Sequence, residues 1–226
     1  MSSVEVFDAL GAIGLVPVIE IADELLAEPL VAVLVDAGLP CAEITLRTPA
    51  GLLAIERVAR SFPNVLVGAG TVLSPEHAAQ ARAAGARFIV TPGFNPAVVD
   101  RCLDDGVPVL PGVATPTEIE MAIGRGLRQV KVFPADILGG VAFLRAVSAP
   151  YRGMRFVPTG GIGPGDLADY LSLPSVLAVG GTWIASRELV VAGDLATIRR
   201  LAVEAVAVVQ RVRGPTAAPD ASTGQP

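Results

Sequence analysis

Residues 127 to 136 read 127-LRQVKVFPAD-136. Val130 and Val132 alternate there with Lys131 and Phe133, the period of a β-strand, in which successive side chains point to opposite faces. If the two valines pack on helices, Lys131 points to the other side, into the interior of whatever the strands enclose. The chain has 17 lysines and arginines together, and Lys131 is the only lysine among them. On a surface the two residues are near substitutes, and here arginine is otherwise always taken. Arginine does not give up its proton, whereas a partly desolvated lysine can. A neutral amine attacks a carbonyl and forms a Schiff base. An inward lysine is therefore either a salt-bridged structural residue or a reactive amine, and a composition bias that left one lysine by chance is the plain alternative to both.

The stretch is one of a series. Short apolar runs recur as VPVIEI (16–21), CAEITLR (41–47), VLVGAGT (65–71), RFIVTP (87–92), VPVLPGV (107–113), QVKVFP (129–134), RFVPTGG (155–161) and VLAVGGT (176–182). Between them lie alanine-rich helical patterns such as 75-PEHAAQARAAGA-86, with Pro75 at a first helical position and Gly85 near the end. Strands that each lead into a helix predict an α/β fold, a (β/α)8 TIM barrel. An open doubly wound sheet shares the alternation and stays open as a second architecture. Residues 3–14 predict an extra N-terminal helix that covers the barrel floor, and 194-DLATIRRLAVEAVAVVQRV-212 a closing helix capped by Asp194. Residues 1–213 are thus expected to form a single catalytic barrel. Residues 214–226, rich in Pro, Ala, Ser and Gly, are expected to be a disordered tail.

Composition narrows the function. The 226 residues are 52% apolar and 17% charged, as a folded domain requires, and no apolar run reaches the roughly eighteen residues of a membrane span. A net charge of -5 without a basic cluster argues against a nucleic-acid partner. The N-terminus carries Glu5 and Asp8 and no basic residue, so a cytoplasmic protein is expected. Cys41 and Cys102 form no C-x-x-C pair and read as free thiols, and His77, the one histidine, stands at a helix start, so no metal site is expected.

In a barrel, function gathers at the carboxyl ends of the strands. The second strand places Glu43, Thr45 and Arg47 on one face and Ala42, Ile44 and Leu46 on the other. Inward charges are costly unless paired or used, so a structural Glu43–Arg47 ion pair stands beside a catalytic role. The glycine pairs in 159-TGGIGPGD-166 and 180-GGTW-183 end the last two strands. Glycine lets backbone N–H groups approach an anion, and barrels often bind phosphate at these two loops.

At these strand ends the sequence resembles a known family. The stretches 41-CAEITLRTP-49, 67-VGAGTVL-73, 91-TPGFNP-96, 111-PGVATPTE-118, 129-QVKVFPA-135, 157-VPTGGI-162 and 179-VGGTW-183 are similar to those of the bacterial 2-keto-3-deoxy-6-phosphogluconate aldolases, from about residue 5 to about residue 211. The resemblance implies a cytoplasmic, homotrimeric class I aldolase with no cofactor, working in Entner–Doudoroff carbohydrate breakdown on a phosphorylated 2-keto-3-deoxy sugar acid and pyruvate. It makes Lys131 the Schiff-base lysine and Glu43 the general acid/base. Arg47 and Thr71 match residues that hold the pyruvate carboxylate, and Pro92 and Phe133 match pocket-lining positions. Thr159 matches a position linked to stereochemical selectivity. Gly160, Gly161, Gly180, Gly181 and Thr182 match the phosphate loops. Two departures stand out. Thr182 replaces a common serine but keeps the hydroxyl. Glu20 stands where an apolar residue is usual, and whether it points outward to a surface pair or inward to change the pocket charge is open. Sister aldolases for the galactonate epimer or 4-hydroxy-2-oxoglutarate share Lys131 and Glu43. A phosphate-binding isomerase or epimerase would keep the glycine loops without the amine, and a non-catalytic scaffold would keep the pocket as a relic.

Overall fold

The computed structural model describes residues 2–214. Residues 215–226, nearly all of the expected tail, lie outside the described part. The strands are β1 Leu15–Ile19, β2 Cys41–Thr45, β3 Leu66–Gly70, β4 Phe88–Val90, β5 Val109–Leu110, β6 Gly112–Val113, β7 Gln129–Val132, β8 Arg155–Pro158 and β9 Val179–Gly181. The helices are α1 Ser3–Ile13, α2 Ala27–Asp36, α3 Gly51–Ser61, α4 Pro75–Ala83, α5 Pro96–Asp104, α6 Pro116–Gly124, α7 Gly140–Ser148, α8 Leu167–Leu171, α9 Arg187–Ala192 and α10 Leu195–Arg213. The expected fifth strand, 107–113, is two strands, because Pro111 has no N–H to continue the ladder. Its carbonyl still accepts the Lys131 N–H at 2.9 Å, so the wall runs on across the break.

All strand pairs are parallel, in the orders β5-β4-β3-β2-β1-β9 and β6-β7-β8. The second seam closes where Leu177 N–H donates to the Phe156 carbonyl at 2.8 Å and Thr159 bridges Gly180. Each strand therefore neighbours the next in the chain, and the last pairs with the first, Leu15 opposite Val179. A doubly wound sheet instead reverses its order at a switch point. The ring is a (β/α)8 barrel.

The side chains sort by strand period. Ile19, Ile44, Val67, Ile89, Val130 and Val132 face the helices in the larger core cluster. Val16, Cys41, Leu66, Phe88, Leu110 and Val157 point inward and pack with Val6, Phe7 and Leu10 of α1, which covers the barrel floor. Phe88 fills the interior because Gly68 yields it room: a Cβ there would lie 2.3 Å from the ring. At the same end Arg213 of α10 donates to the Gly11 and Leu177 carbonyls at 2.9 and 2.7 Å and to that of Val176 at 2.8 Å. At the other end, three helices start alike. Ser74-Pro75, Asn95-Pro96 and Thr115-Pro116 each set an N-cap whose side chain accepts a backbone N–H, from His77 at 3.2 Å, Ala97 at 3.1 Å and Glu118 at 3.4 Å. His77 thus belongs to a helix start through its backbone. No helix among the described residues is long and apolar enough to cross a membrane.

Candidate active site

With the floor filled by apolar groups, the polar inward residues lie toward the carboxyl ends. In β2, Cys41 meets the floor, Glu43 stands one layer up and Thr45 above it. Thr45 is satisfied locally, its hydroxyl donating to the Ile19 carbonyl at 3.1 Å. Glu43 crosses the barrel instead. Lys131 Nζ lies 3.2 Å from Glu43 Oε1, with Lys131 6% and Glu43 3% exposed. Gly70 makes this reach possible, since a Cβ there would stand 2.3 Å from Glu43 Oε1. Nζ also lies 5.4 Å from the Phe133 ring centre, and the Phe133–Pro134 peptide is cis.

The Glu43–Arg47 ion pair considered from the sequence does not form. Arg47 lies past the end of β2, and its side chain is 50% exposed. Its Nε donates to the Thr71 hydroxyl at 3.3 Å, and Nη1 lies 3.9 Å from Glu20 Oε2. Thr71 holds a φ of 58°, a left-handed conformation that costs a non-glycine residue about 1 kcal/mol or more and that is retained where the surroundings enforce it. Half-buried Pro92 follows Thr91, whose hydroxyl donates to the Gly93 carbonyl at 2.6 Å and accepts the Gly112 N–H at 3.3 Å. These two bonds hold the β4 loop against β6.

The two glycine loops are neighbours, joined by the Thr159–Gly180 bridge. Thr159 is 2% exposed, and a Cβ on Gly180 would lie 2.2 Å from its Oγ1. Gly160 and Gly161 take φ values of 97° and 77°, and a Cβ on Gly161 would come 2.4 Å from Asp136 Cβ. Glycine is thus demanded twice there, by backbone angle and by close approach. Thr182 is exposed at the start of the 3-10 turn Trp183–Ala185, and its side chain makes no capping bond. Of the twelve candidate residues, Glu43 lies midway along β2, and the others lie in the last two residues of β7 and β9 or just past the ends of β2, β3, β4, β7, β8 and β9.

Glu20 has its orientation settled. Ile19 and Ile21 are fully buried in the helix-facing cluster, so Glu20 between them turns to the barrel mouth. It sits between two cations, with Arg187 Nε 3.4 Å from its Oε1. Arg187 was not singled out from the sequence. It begins α9, where an acidic residue is electrostatically favoured, and that mismatch was its signal. Chemically, the mouth combines an amine beside a carboxylate at depth, a guanidinium past the end of β2 and adjacent glycine loops at the ends of β8 and β9.

The family of "KDPG and KHG aldolase" has a model that matches residues 6–201. A 2-dehydro-3-deoxy-phosphogluconate aldolase of Treponema pallidum is 44% identical over 206 residues, 91% of this chain and 98% of that protein. One of Pseudomonas aeruginosa is 46% identical over 192 residues, 85% of this chain and 87% of that protein. The crystal structure of a Legionella pneumophila KDPG aldolase, with pyruvate captured as a covalent carbinolamine, superposes with a TM-score of 0.85 at 36% identity, covering 90% of this chain and 97% of that one.

Proposed function

The chain belongs to the KDPG and KHG aldolase family, and from that membership we propose that it is a class I aldolase that reversibly cleaves 2-dehydro-3-deoxy-6-phosphogluconate to pyruvate and D-glyceraldehyde 3-phosphate. The observation that carries the reading is the 3.2 Å contact of Lys131 Nζ with Glu43 Oε1 inside the barrel. An amine there has its own proton acceptor within hydrogen-bond reach, the first requirement of a nucleophile–base pair.

The steps follow from that pair. Glu43 takes a proton from the Lys131 ammonium, and the free amine attacks the C2 ketone. Glu43 returns that proton to the C2 oxygen, then takes a second proton from the new C–N nitrogen and passes it to the same oxygen, which leaves as water, and a protonated imine remains. The Glu43 carboxylate then removes the C4 hydroxyl proton. The C3–C4 electron pair moves toward the imine nitrogen, the aldehyde departs and an enamine is left. Glu43 protonates C3, and water hydrolyses the imine to pyruvate. Arg47 and Thr71 hold the substrate carboxylate, and Pro92, Phe133 and Thr159 line the carbon chain. Gly160, Gly161, Gly180, Gly181 and Thr182 take the phosphate, a remote group whose binding orients the reacting carbons. The route uses no metal ion or organic cofactor. A cytoplasmic homotrimer is part of the same proposal.

A second substrate, 4-hydroxy-2-oxoglutarate, is favoured by the family's own description, which names both activities. The same amine and carboxylate would serve it. The test is borohydride trapping with pyruvate, followed by intact-mass and peptide analysis. A reduced pyruvate adduct on Lys131, absent in Lys131→Arg, is the expected result. A folded protein with no adduct overturns the aldolase reading, and the ratio of cleavage rates on the two substrates ranks them.

A further inference from the structure

Glu20 lies where the proposed reaction has no use for a negative charge. The guanidinium of Arg47, read above as the holder of the substrate carboxylate, already has a carboxylate beside it, Glu20 Oε2 at 3.9 Å. The other oxygen of Glu20 faces Arg187 Nε at 3.4 Å. The three residues follow β1, β2 and β9, which are adjacent in the sheet, so the cluster lies across that part of the barrel mouth. Glu20 cannot turn away into the helix-facing layer, because its neighbours Ile19 and Ile21 occupy that side.

We infer that Glu20 is a specificity-determining residue that competes with the substrate carboxylate for Arg47, and that Arg187 limits this competition by holding the other oxygen of Glu20. The inference rests on the carboxylate-binding reading of Arg47. When a substrate carboxylate arrives, two like charges share one guanidinium. Glu20 must give up its share, and Arg187 is the cation that keeps it. The arrangement sets the affinity of the entering anion and leaves the Lys131–Glu43 chemistry alone, so its effect falls on KM and not on kcat.

The groups involved are partly exposed, with side-chain exposures of 22% for Glu20, 50% for Arg47 and 67% for Arg187. Such pairs are screened, and a change of about one and a half to fivefold in affinity is the scale to expect. The experiment measures half-saturating pyruvate by borohydride trapping, with KM and kcat for sugar-acid cleavage alongside. Glu20→Gln, Arg187→Met, the double variant and Arg47→Met are compared with the parent. Glu20→Gln should lower half-saturating pyruvate and KM about one and a half to fivefold. Arg187→Met should raise both, and its effect should shrink when Glu20 is already Gln. An unchanged or raised KM in Glu20→Gln, or an Arg187→Met effect of equal size in both backgrounds, overturns the inference. Arg47→Met separates the two levels. Weaker pyruvate binding in Arg47→Met with no change in Glu20→Gln overturns the inference alone. Unchanged pyruvate binding in Arg47→Met removes the reading of Arg47 and the inference with it.

Discussion

Glu43 and Lys131 are 88 residues apart in the chain and touch only because the barrel brings β2 and β7 face to face across its interior. Two buried charges persist there as a pair, since either one alone would carry an uncompensated desolvation cost of several kcal/mol. Gly70 keeps the path open, and this separates two glycine substitutions by consequence. In Gly70→Ala the new Cβ meets the carboxylate end of Glu43, which can swing aside. The fold should survive while kcat falls about tenfold or more, as the proposed acid/base role of Glu43 predicts. In Gly112→Ala the new Cβ would lie 2.2 Å from the Pro92 carbonyl oxygen, a backbone atom with nowhere to go. Here urea unfolding should show a loss of about 1–3 kcal/mol. Equal stability losses in both variants would contradict the distinction. The cysteines make a second residue-scale case. Burial pushes the Cys41 thiol up to about 12 and, with the charge of Asp105 adding to it, Cys102 up to about 11. The folded protein should react slowly with Ellman's reagent at pH 8 and fast once unfolded. Burial raises both folded values above the unfolded one. The stability linked to the neutral thiols is therefore present below about pH 8.5 and is lost as pH climbs through the folded values.

At the scale of elements, α1 does for the floor what the loops do for the mouth. It has no strand of its own to follow. Its Ser2–Glu5 capping box starts it, Gly14 at φ 73° ends it, and Val6, Phe7 and Leu10 plug the barrel between. Because the candidate site lies at the opposite end, floor and chemistry should be separable. Phe7→Ala should cost about 3 kcal/mol in chemical denaturation, the usual scale for a buried ring, and still give the pyruvate adduct on Lys131 under native conditions. Loss of the adduct in a folded Phe7→Ala protein would show that the two ends are coupled. The Ser-Pro, Asn-Pro and Thr-Pro helix starts act in the other direction, ending the β3, β4 and β6 loops at defined points and so fixing where Thr71 and Pro92 stand.

At the scale of the whole molecule, the assembly is the remaining expectation. Light scattering should give a particle of three chains, and a stable monomer would remove the trimer while leaving the barrel intact. The architecture itself was legible because its signals are local. Period-two strands, Pro and Gly at helix ends, and an inward Lys131 between two valines are all set by near neighbours in the chain. The resemblance at the strand ends then named twelve candidate positions. Less legible were contacts that depend on closure. The sequence allowed Glu43 to pair with Arg47, four residues on along the same strand. The barrel gave it Lys131 from the far wall, because a strand end that passes the rim carries Arg47 out to solvent. It allowed Glu20 either direction, until Ile19 and Ile21 claimed the helix-facing side. Arg187 carried only a weak signal, a cation at a helix start, and it acquired a partner when β9 closed against β1. By itself the sequence determined the alternation of elements, the direction of each strand's side chains and the presence of one amine among arginines. Only the tertiary structure decided which charges meet, because pairing across a closed ring is set by register and closure and not by any distance along the chain.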